Sequence, residues 1–293
     1  MATTFSPLRY PGGKGSLQNQ VAELLVINDL QLGDYAEPYA GGCGLALSML
    51  YRGYVSDIHI NDIDAGIWSF WHSILTDTNA FIERMNRTPV TIEQWHREVE
   101  ILNSGTDADP LTIGFATFFL NRTNRSGIIR RAGVIGGLEQ NGNYKIDCRF
   151  NKPDLERRIR RVASYADRIH LHRMDAVAFL DHVQNDLPED TFCYIDPPYY
   201  NKGSSLYTSF YEPDDHETVA TRVLQLTNPW IITYDHTPEI QALYRARRQF
   251  EFSLQYSVQE KRLGSELLIA SKGLRLPAVF KDNQIHQPRS QAA

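Results

Sequence analysis

Thr191-Phe192-Cys193-Tyr194-Ile195-Asp196-Pro197-Pro198-Tyr199 sets an apolar run directly before an acid, two prolines and an aromatic ring. The run reads as a buried strand. Asp196 therefore falls at a strand's carboxyl end, where open α/β sheets place their ligands. The prolines fix φ and lack backbone donors, which leaves carbonyl oxygens free to accept from an amino group held beside the Asp196 carboxylate. Tyr199 adds a flat face for stacking. Two acceptors on the hydrogens of an exocyclic amine such as adenine N6 draw its nitrogen toward the tetrahedral geometry that methyl transfer needs. A strand-to-loop turn with structural prolines is the plain alternative.

Toward the amino terminus, Tyr35-Ala36-Glu37-Pro38-Tyr39-Ala40-Gly41-Gly42-Cys43-Gly44 runs from a short strand into a glycine turn, and Leu45 to Leu50 then reads as a helix. Glycines allow positive φ and a close backbone approach to a ligand. A second strand, Val55 to Ile60, ends in Asn61-Asp62-Ile63-Asp64. An acid about twenty positions past the glycines is placed to accept both ribose hydroxyls of a nucleoside cofactor. Asp62 is the first choice for that contact, with Asp64 and Glu37 behind it; Glu37 equally suits an amino group of the same ligand. No Gly-x-Gly-x-x-Gly is present to hold a pyrophosphate, so S-adenosylmethionine fits better than NAD.

Arg9-Tyr10-Pro11-Gly12-Gly13-Lys14-Gly15-Ser16 is the third element. It fails as a phosphate-binding P-loop, because Leu8 stands where the first glycine belongs and Gly15 follows the lysine. Tyr10 can face a sulfonium cation or an adenine ring, and Lys14 can pair with a methionine carboxylate or a DNA phosphate.

The 293 residues, 42% of them apolar, suffice for a large core without staples. Cys43, Cys148 and Cys193 match neither a disulfide framework nor a zinc spacing, and no metal is expected. His216, in the acidic start of a helix after Pro213, has no ligand spacing around it either. No apolar run reaches membrane-spanning length and the first twenty residues lack a signal-peptide core, so a cytoplasmic protein with no membrane and no obligate protein partner is expected. The formal net charge is −5, yet residues 120–173 hold thirteen Lys or Arg against five acids, a local surplus of eight. Affinity for nucleic acid follows local phosphate neutralisation, so that surplus reads as an electrostatic footprint on DNA. For Arg157, Arg158, Arg160 and Arg161, a solvated helix face explains the charge equally well.

After Asp64 the apolar spacing turns helical through 67–75, 81–85 and 92–102, and its aromatics read as core. Leu111 to Leu120 reads as a buried helix delivering the loop Asn121 to Arg131, and 132–150 as a hairpin or extended loop. Strands return at 168–172, 191–195 and 230–234. The segments 250–258 and 266–270 read as antiparallel strands closing the sheet, and 281–293 as a polar, frayed tail. Asp235-His236, at the end of the 230–234 strand, either lines the active cleft or caps the strand.

Taken in order, Arg-Tyr-Pro-Gly-Gly-Lys at 9–14, Glu-Pro-Tyr-Ala-Gly-Gly-Cys-Gly at 37–44, Asn-Asp-Ile-Asp at 61–64, Asn-Arg-Thr-Asn-Arg-Ser-Gly at 121–127, Asp-Pro-Pro-Tyr at 196–199 and Gly264 to Ile269 resemble the motifs of Dam-like, D12-class DNA adenine N6 methyltransferases. The resemblance covers nearly the whole chain except its tail. It implies a Rossmann-like α/β methyltransferase core, at 1–65 and 152–280, interrupted by a mainly helical target-recognition domain at 66–151. It implies S-adenosylmethionine as cofactor and double-stranded DNA as partner, with the adenine flipped out of the duplex. It also implies catalysis by Asp196, Pro197, Pro198 and Tyr199. Cofactor binding falls to Tyr10, Lys14, Glu37, Pro38, Gly41, Gly42, Gly44, Asp62, Ile63 and Asp196, and DNA contact to Asn121, Arg122, Asn124, Arg125, Ser126, Arg130 and Lys202. One departure stands out. Relatives such as Dam commonly carry an aromatic and then Asn before the glycine, where this chain has Arg125-Ser126-Gly127; a stacking guanidinium at Arg125 can substitute, and Arg130 matches an arginine that Dam-like enzymes use to read guanine. Transfer to cytosine N4 or to a protein glutamine is disfavoured, since Asp rather than Ser or Asn opens the tetrapeptide and a protein substrate does not explain the basic stretch. A non-enzymatic DNA-binding module leaves Asp62 and Asp196 without purpose.

Overall fold

Strand β4 (Phe192–Ile195) is buried at every residue because both its faces are covered. Phe192 and Tyr194 enter one apolar cluster, Cys193 and Ile195 another. The same alternation divides Tyr35 from Ala36 in β1 (Asp34–Glu37), and Ile231 from Ile232 in β5 (Trp230–Asp235). Parallel strands need this two-sided cover. The computed structural model describes residues 5–9, 14–104, 108–201, 211–255, 263–281 and 283–288. Among them, β2 (Asp57–Asn61), β3 (Ile169–His172), β6 (Arg248–Gln255), β7 (Leu263–Ala270) and β8 (Gln284–His286) complete a sheet ordered β3-β2-β1-β4-β5-β7-β6-β8. From β3 to β5 all neighbours are parallel; β7 then inserts antiparallel between β5 and β6. The chain thus has the expected mixed α/β, parallel-rich sheet with an antiparallel closing pair. Positions 256–258 of the expected strand lie outside the described residues.

One expectation is corrected at the carboxyl end. Gln284–His286, read as part of a frayed tail, pairs with β6 as β8.

Helices α1 (Gln18–Ile27) and α2 (Gly44–Tyr51) pack on the first face of the sheet. On the second lie α8 (Ala176–Asp186), α9 (Pro213–Gln225) and α10 (Pro238–Leu243). Between β2 and β3 the chain folds as α3 (Ala65–Thr76), α4 (Thr78–Arg87), α5 (Ile92–Asn103), α6 (Pro110–Thr123) and α7 (Lys152–Ala163). Their starts are chemically marked. Asp64 caps α3, Thr91 caps α5, and Asp109 caps α6 ahead of Pro110. The aromatics of these helices form core as expected: Phe70 stacks on Phe118 at 5.7 Å, and Phe81 meets Phe118 edge-on at 5.4 Å. Residues 132–150 form no helix or ladder; Val134 bridges back to Asn124.

Helices α3 and α6 approach closely because glycines face the contact. A Cβ on Gly66 would lie 2.4 Å from Thr117 Oγ1, and one on Gly114 would lie 2.5 Å from the Ser69 carbonyl oxygen. At Gly114 the obstacle is backbone, so the helices themselves would have to part. Gly114→Leu is expected to lower the unfolding free energy by about 1–3 kcal/mol. The reading is a lower urea midpoint at unchanged slope, and an unmoved midpoint would show that the contact yields freely.

Candidate active site

Parallel pairing of β1, β2, β4 and β5 delivers Glu37, Asp62, Asp196 and Asp235 to the same edge of the sheet. Asp196 is held from two sides. Its Oδ1 accepts from Thr233 Oγ1 at 2.8 Å and lies 3.3 Å from Lys14 Nζ. Since the Thr233 hydroxyl gives its proton to Asp196, the Tyr194 hydroxyl 3.0 Å away donates to Thr233, so a relay of hydroxyls orients the carboxylate. Lys14 Nζ also donates to Tyr199 Oη at 3.0 Å and pairs with Glu266 Oε2 at 3.0 Å. Tyr199 Oη in turn donates to Glu266 Oε1 at 2.5 Å. The register of β5 with β7 sets Glu266 opposite Asp235. Downstream of the prolines, Asp235 accepts from the amides of Tyr200 and Asn201 at 2.8 and 3.0 Å, which gives it the role of a strand-end cap.

Burial alone would push the Lys14 ammonium down, but the Asp196 and Glu266 carboxylates outweigh it and raise its pKa. Asp196 and Glu266 are both raised by burial, with Lys14 pulling each back. The side chains of Lys14 and Glu266 are 2% and 1% exposed, while Asp196 keeps 25%. Asp196 is thus the outward end of a buried charge network.

The glycine turn is built to stay open. Gly41 has φ of 44° and Cys43 a left-handed φ of 51°. The Gly41 amide donates to Asp62 Oδ2 at 2.9 Å, and its carbonyl accepts from Trp71 Nε1 at 2.9 Å. Asp62 Oδ1 takes the Asp64 amide at 3.0 Å, so each oxygen has spent one lone pair on backbone and retains another for a ligand hydroxyl. Burial pushes the Asp62 carboxyl up to about 7; the Asp64 charge adds to this and the two amides oppose it. Asp64 itself is committed to the amides of Gly66 and Ile67. Ile63, beside Asp62, is an apolar side chain left 53% exposed. Pro38 and Gly42 are buried, and Gly44 opens α2. Glu37 accepts from Tyr35 Oη at 2.7 Å and from the Ala46 amide in the first turn of α2. Burial lifts its carboxyl to about 8; those donors hold it down and the Asp196 charge lifts it further.

The loop after α6 places the residues expected at DNA as follows. Asn121 is fully buried, and its amide pairs with both backbone groups of Arg9, accepting at 2.7 Å and donating at 2.6 Å. Arg122 donates to the Arg149 carbonyl at 2.7 Å, and Asn124 binds Trp95 Nε1 and the carbonyls of Ile128 and Ile129. All three strap the amino-terminal segment and the loop together. Arg125 is exposed at the tip. Ser126 and Gly127 follow it with φ of 56° and 77°, and a Cβ on Gly127 would lie 2.6 Å from the Arg9 carbonyl oxygen. Arg130 is partly buried and donates to the Leu102 carbonyl near the end of α5 at 3.0 Å. Tyr10 and Lys202 lie outside the described residues, as does Tyr207 in the loop that follows Asp-Pro-Pro-Tyr. On α7, Arg158 and Arg160 make ion pairs with Asp154 and Glu156, and Arg161 covers the Tyr51 ring at 4.1 Å. His216 is a core residue of α9, 3.0 Å from Tyr234 Oη. The sequence reading missed Thr233, Glu266 and Trp71.

A family model described as D12 class N6 adenine-specific DNA methyltransferase matches residues 10–262. The chain is 21% identical over 229 residues to the Type II methyltransferase M.MjaIII of Methanocaldococcus jannaschii, covering 72% of this chain and 75% of that one. Among solved structures it is similar to a proposed RNA methyltransferase from Pyrococcus horikoshii, with TM-score 0.42, 8% identity and coverage of 90% of this chain and 86% of that one. A proposed class I S-adenosylmethionine-dependent methyltransferase from Listeria monocytogenes aligns with TM-score 0.38, 12% identity and coverage of 90% and 62%.

The raised Glu37 carboxyl sets a pH signature. Below about pH 4.3, the ordinary Glu value, folded and unfolded chains both carry the proton. As pH rises from there through about 8, the unfolded chain releases it while the folded chain holds it, so the stability that neutral Glu37 contributes is progressively lost. Glu37→Gln, which stays neutral, is therefore expected to match the parent's melting temperature near pH 4.5 and to exceed it increasingly toward pH 8.5, without added nucleosides. A difference that does not vary with pH would show that Glu37 is ionised throughout.

Proposed function

The chain belongs to the D12 class N6 adenine-specific DNA methyltransferase family and methylates adenine N6 in DNA; we propose that it draws the methyl group from S-adenosylmethionine and acts on an adenine flipped out of the duplex. The observation that carries the reading is the exposed end of the charge network: Asp196, pinned by Thr233 and Lys14, is the carboxylate that meets solvent.

When bound, S-adenosylmethionine supplies a methyl group on a sulfonium centre. The residues present fit such a donor. Asp62 keeps lone pairs for the ribose hydroxyls, Glu37 offers a buried acid for the ammonium group, and Ile63 offers an apolar surface for the purine. Pro38, Gly41, Gly42 and Gly44 shape the turn around them. Lys14, expected to face the ligand carboxylate or a phosphate, is instead paired inward with Asp196 and Glu266 and positions the acceptor.

Asp196 accepts one N6 hydrogen while the carbonyl oxygens beside Pro197 and Pro198 are available for the other. Nitrogen attacks before it loses a proton. Methyl transfer would leave positive charge on N6, and the fixed Asp196 carboxylate would stabilise it. Asp196 then receives the proton and passes it to solvent. Tyr199, 6% exposed and anchored through its hydroxyl, provides a ring whose orientation is fixed before the base arrives.

Residues 66–151 are proposed as the target-recognition segment. The base to be methylated lies inside the duplex, so the vacated space needs a side chain. Arg125 is proposed for it, because a tight turn holds it outward over the strapped Arg9 segment. Arg130 stays a candidate guanine reader, at the expense of its contact with the Leu102 carbonyl. A DNA substrate puts the site of action in the cytoplasm.

Asp196→Ala is expected to cut methyl transfer by at least about 10²–10³-fold while fold and donor binding persist, with Asp196→Asn less damaging because its amide oxygen still accepts. Near-parental turnover by a folded Asp196→Ala protein would remove the assignment. For base flipping, a duplex carrying 2-aminopurine at the target adenine is expected to brighten on binding, and less so with Arg125→Ala. Equal brightening by both proteins would transfer the stacking role to another residue.

A further inference from the structure

Two strands away from Asp196, four histidines gather where the outer edge of the sheet meets α8. Register places His59 of β2 opposite His170 of β3, with His172 two residues further along the same face of β3. His182 of α8 closes over them, its ring centroid 4.9 Å from that of His172. One ring nitrogen from each of His59, His172 and His182 lies within 4.8 Å of the others. Among the described residues, Nδ1 of His59 and Nε2 of His172 are buried and have no hydrogen-bond partner.

Such an arrangement is costly as it stands, because a buried polar atom without a partner has lost its bond to water and gained none in return. The outer sides of two of the rings are nevertheless fixed by acids. His59 Nε2 lies 3.3 Å from Asp34 Oδ2, and His182 Nδ1 lies 2.7 Å from Asp186 Oδ2. A carboxylate on one ring nitrogen sets the tautomer and leaves the lone pair on the other, the arrangement that orients histidines toward a metal. We propose that His59, His172 and His182 bind a divalent transition ion of the zinc class, which fastens α8 to the β2–β3 edge of the sheet.

Three neutral imidazoles with a fourth position open suit Zn²⁺, Co²⁺ or Ni²⁺, and not the oxygen-seeking Mg²⁺ or Ca²⁺. Tetrahedral zinc with bonds of ~2.0–2.1 Å holds its nitrogens about 3.3 Å apart, so binding draws the rings inward. His182 can supply that movement by side-chain rotation, as it is 24% exposed. His170 is excluded as a ligand: it stacks on His59 at 4.5 Å, its Nε2 lies 2.9 Å from Asp57, and it is 43% exposed. The ion would act on the donor side of the molecule, since β2 runs directly into Asn61 and Asp62, and the Asp62 amide donates to the His172 carbonyl. The sequence signal is a histidine on each of two strands, His59 and His172, and a histidine four residues before an aspartate on the next helix.

The test uses the full chain without an affinity tag, stripped with a chelator and carrying Cys148→Ser to remove an exposed thiol. Titration with Co²⁺ is expected to saturate at one ion per chain with the visible absorption of a tetrahedral nitrogen site, and excess Zn²⁺ to bleach it. Zn²⁺ should raise the melting temperature of this protein. His182→Gln, on the partly exposed helix, is expected to weaken binding tenfold or more and to abolish the thermal shift, as is His59→Gln. His170→Gln should bind as the parent does. Absence of saturable uptake, equal uptake by His182→Gln, or equal loss on removing His170 would overturn the site.

Discussion

A single buried ammonium organises the centre of this molecule. Lys14 sits among Asp196, Glu266 and Tyr199 with 2% of its side chain exposed, and a charge so placed survives only with anions and acceptors around it. Three remote stretches of chain are thereby forced together: the glycine-rich segment near the amino terminus, the Asp-Pro-Pro-Tyr turn and the last hairpin. Removing Lys14 would leave both acids without their counter-charge, a loss that costs about 3–5 kcal/mol in a buried pair. The Asp196 carboxylate thus inherits its position from a structural necessity. It cannot drift without uncovering Lys14.

A similar economy operates in the glycine turn. Asp62 accepts from the Gly41 amide while Trp71 holds the Gly41 carbonyl, so the acid proposed for the ribose also braces the turn beside it. Asn61 adds a second brace, donating to the carbonyls of Pro38 and Met174 and joining the ends of three strands. Substitutions in this region will therefore mix binding with stability, and only measurements that separate the two can apportion them.

The legible parts of the chain were those where one residue type has one physical use. Phe192 to Ile195 can hardly be anything but a strand covered on both sides, and Asp64 or Asp109 before an apolar helix is a cap. The loop Asn121 to Arg131 has two readings in the sequence, because asparagine and arginine contact DNA with the same atoms that satisfy a buried backbone. Asn121 grips Arg9 through both sides of its amide, and no local spacing reveals a partner 112 positions away. Thr233 and Glu266 were hidden for a related reason: their value comes from the antiparallel register of β5 and β7, which the sequence does not display. The basic stretch was counted correctly, but several of its arginines on α7 are already paired with acids on their own helix or lie over aromatic rings.

The insertion of β7 between β5 and β6 has a temporal consequence. Glu266 lies 252 positions after Lys14, so the lysine's second carboxylate arrives only when the final hairpin docks into the sheet. A nascent chain that has emerged through Tyr199 already carries the glycine turn and the Asp-Pro-Pro-Tyr tetrapeptide, yet its lysine has only half its counter-charge. The enzyme is thus unfinished until nearly the last strand is made. The order of the strands thus leaves the second counter-charge of Lys14 to the closing stage of the sheet.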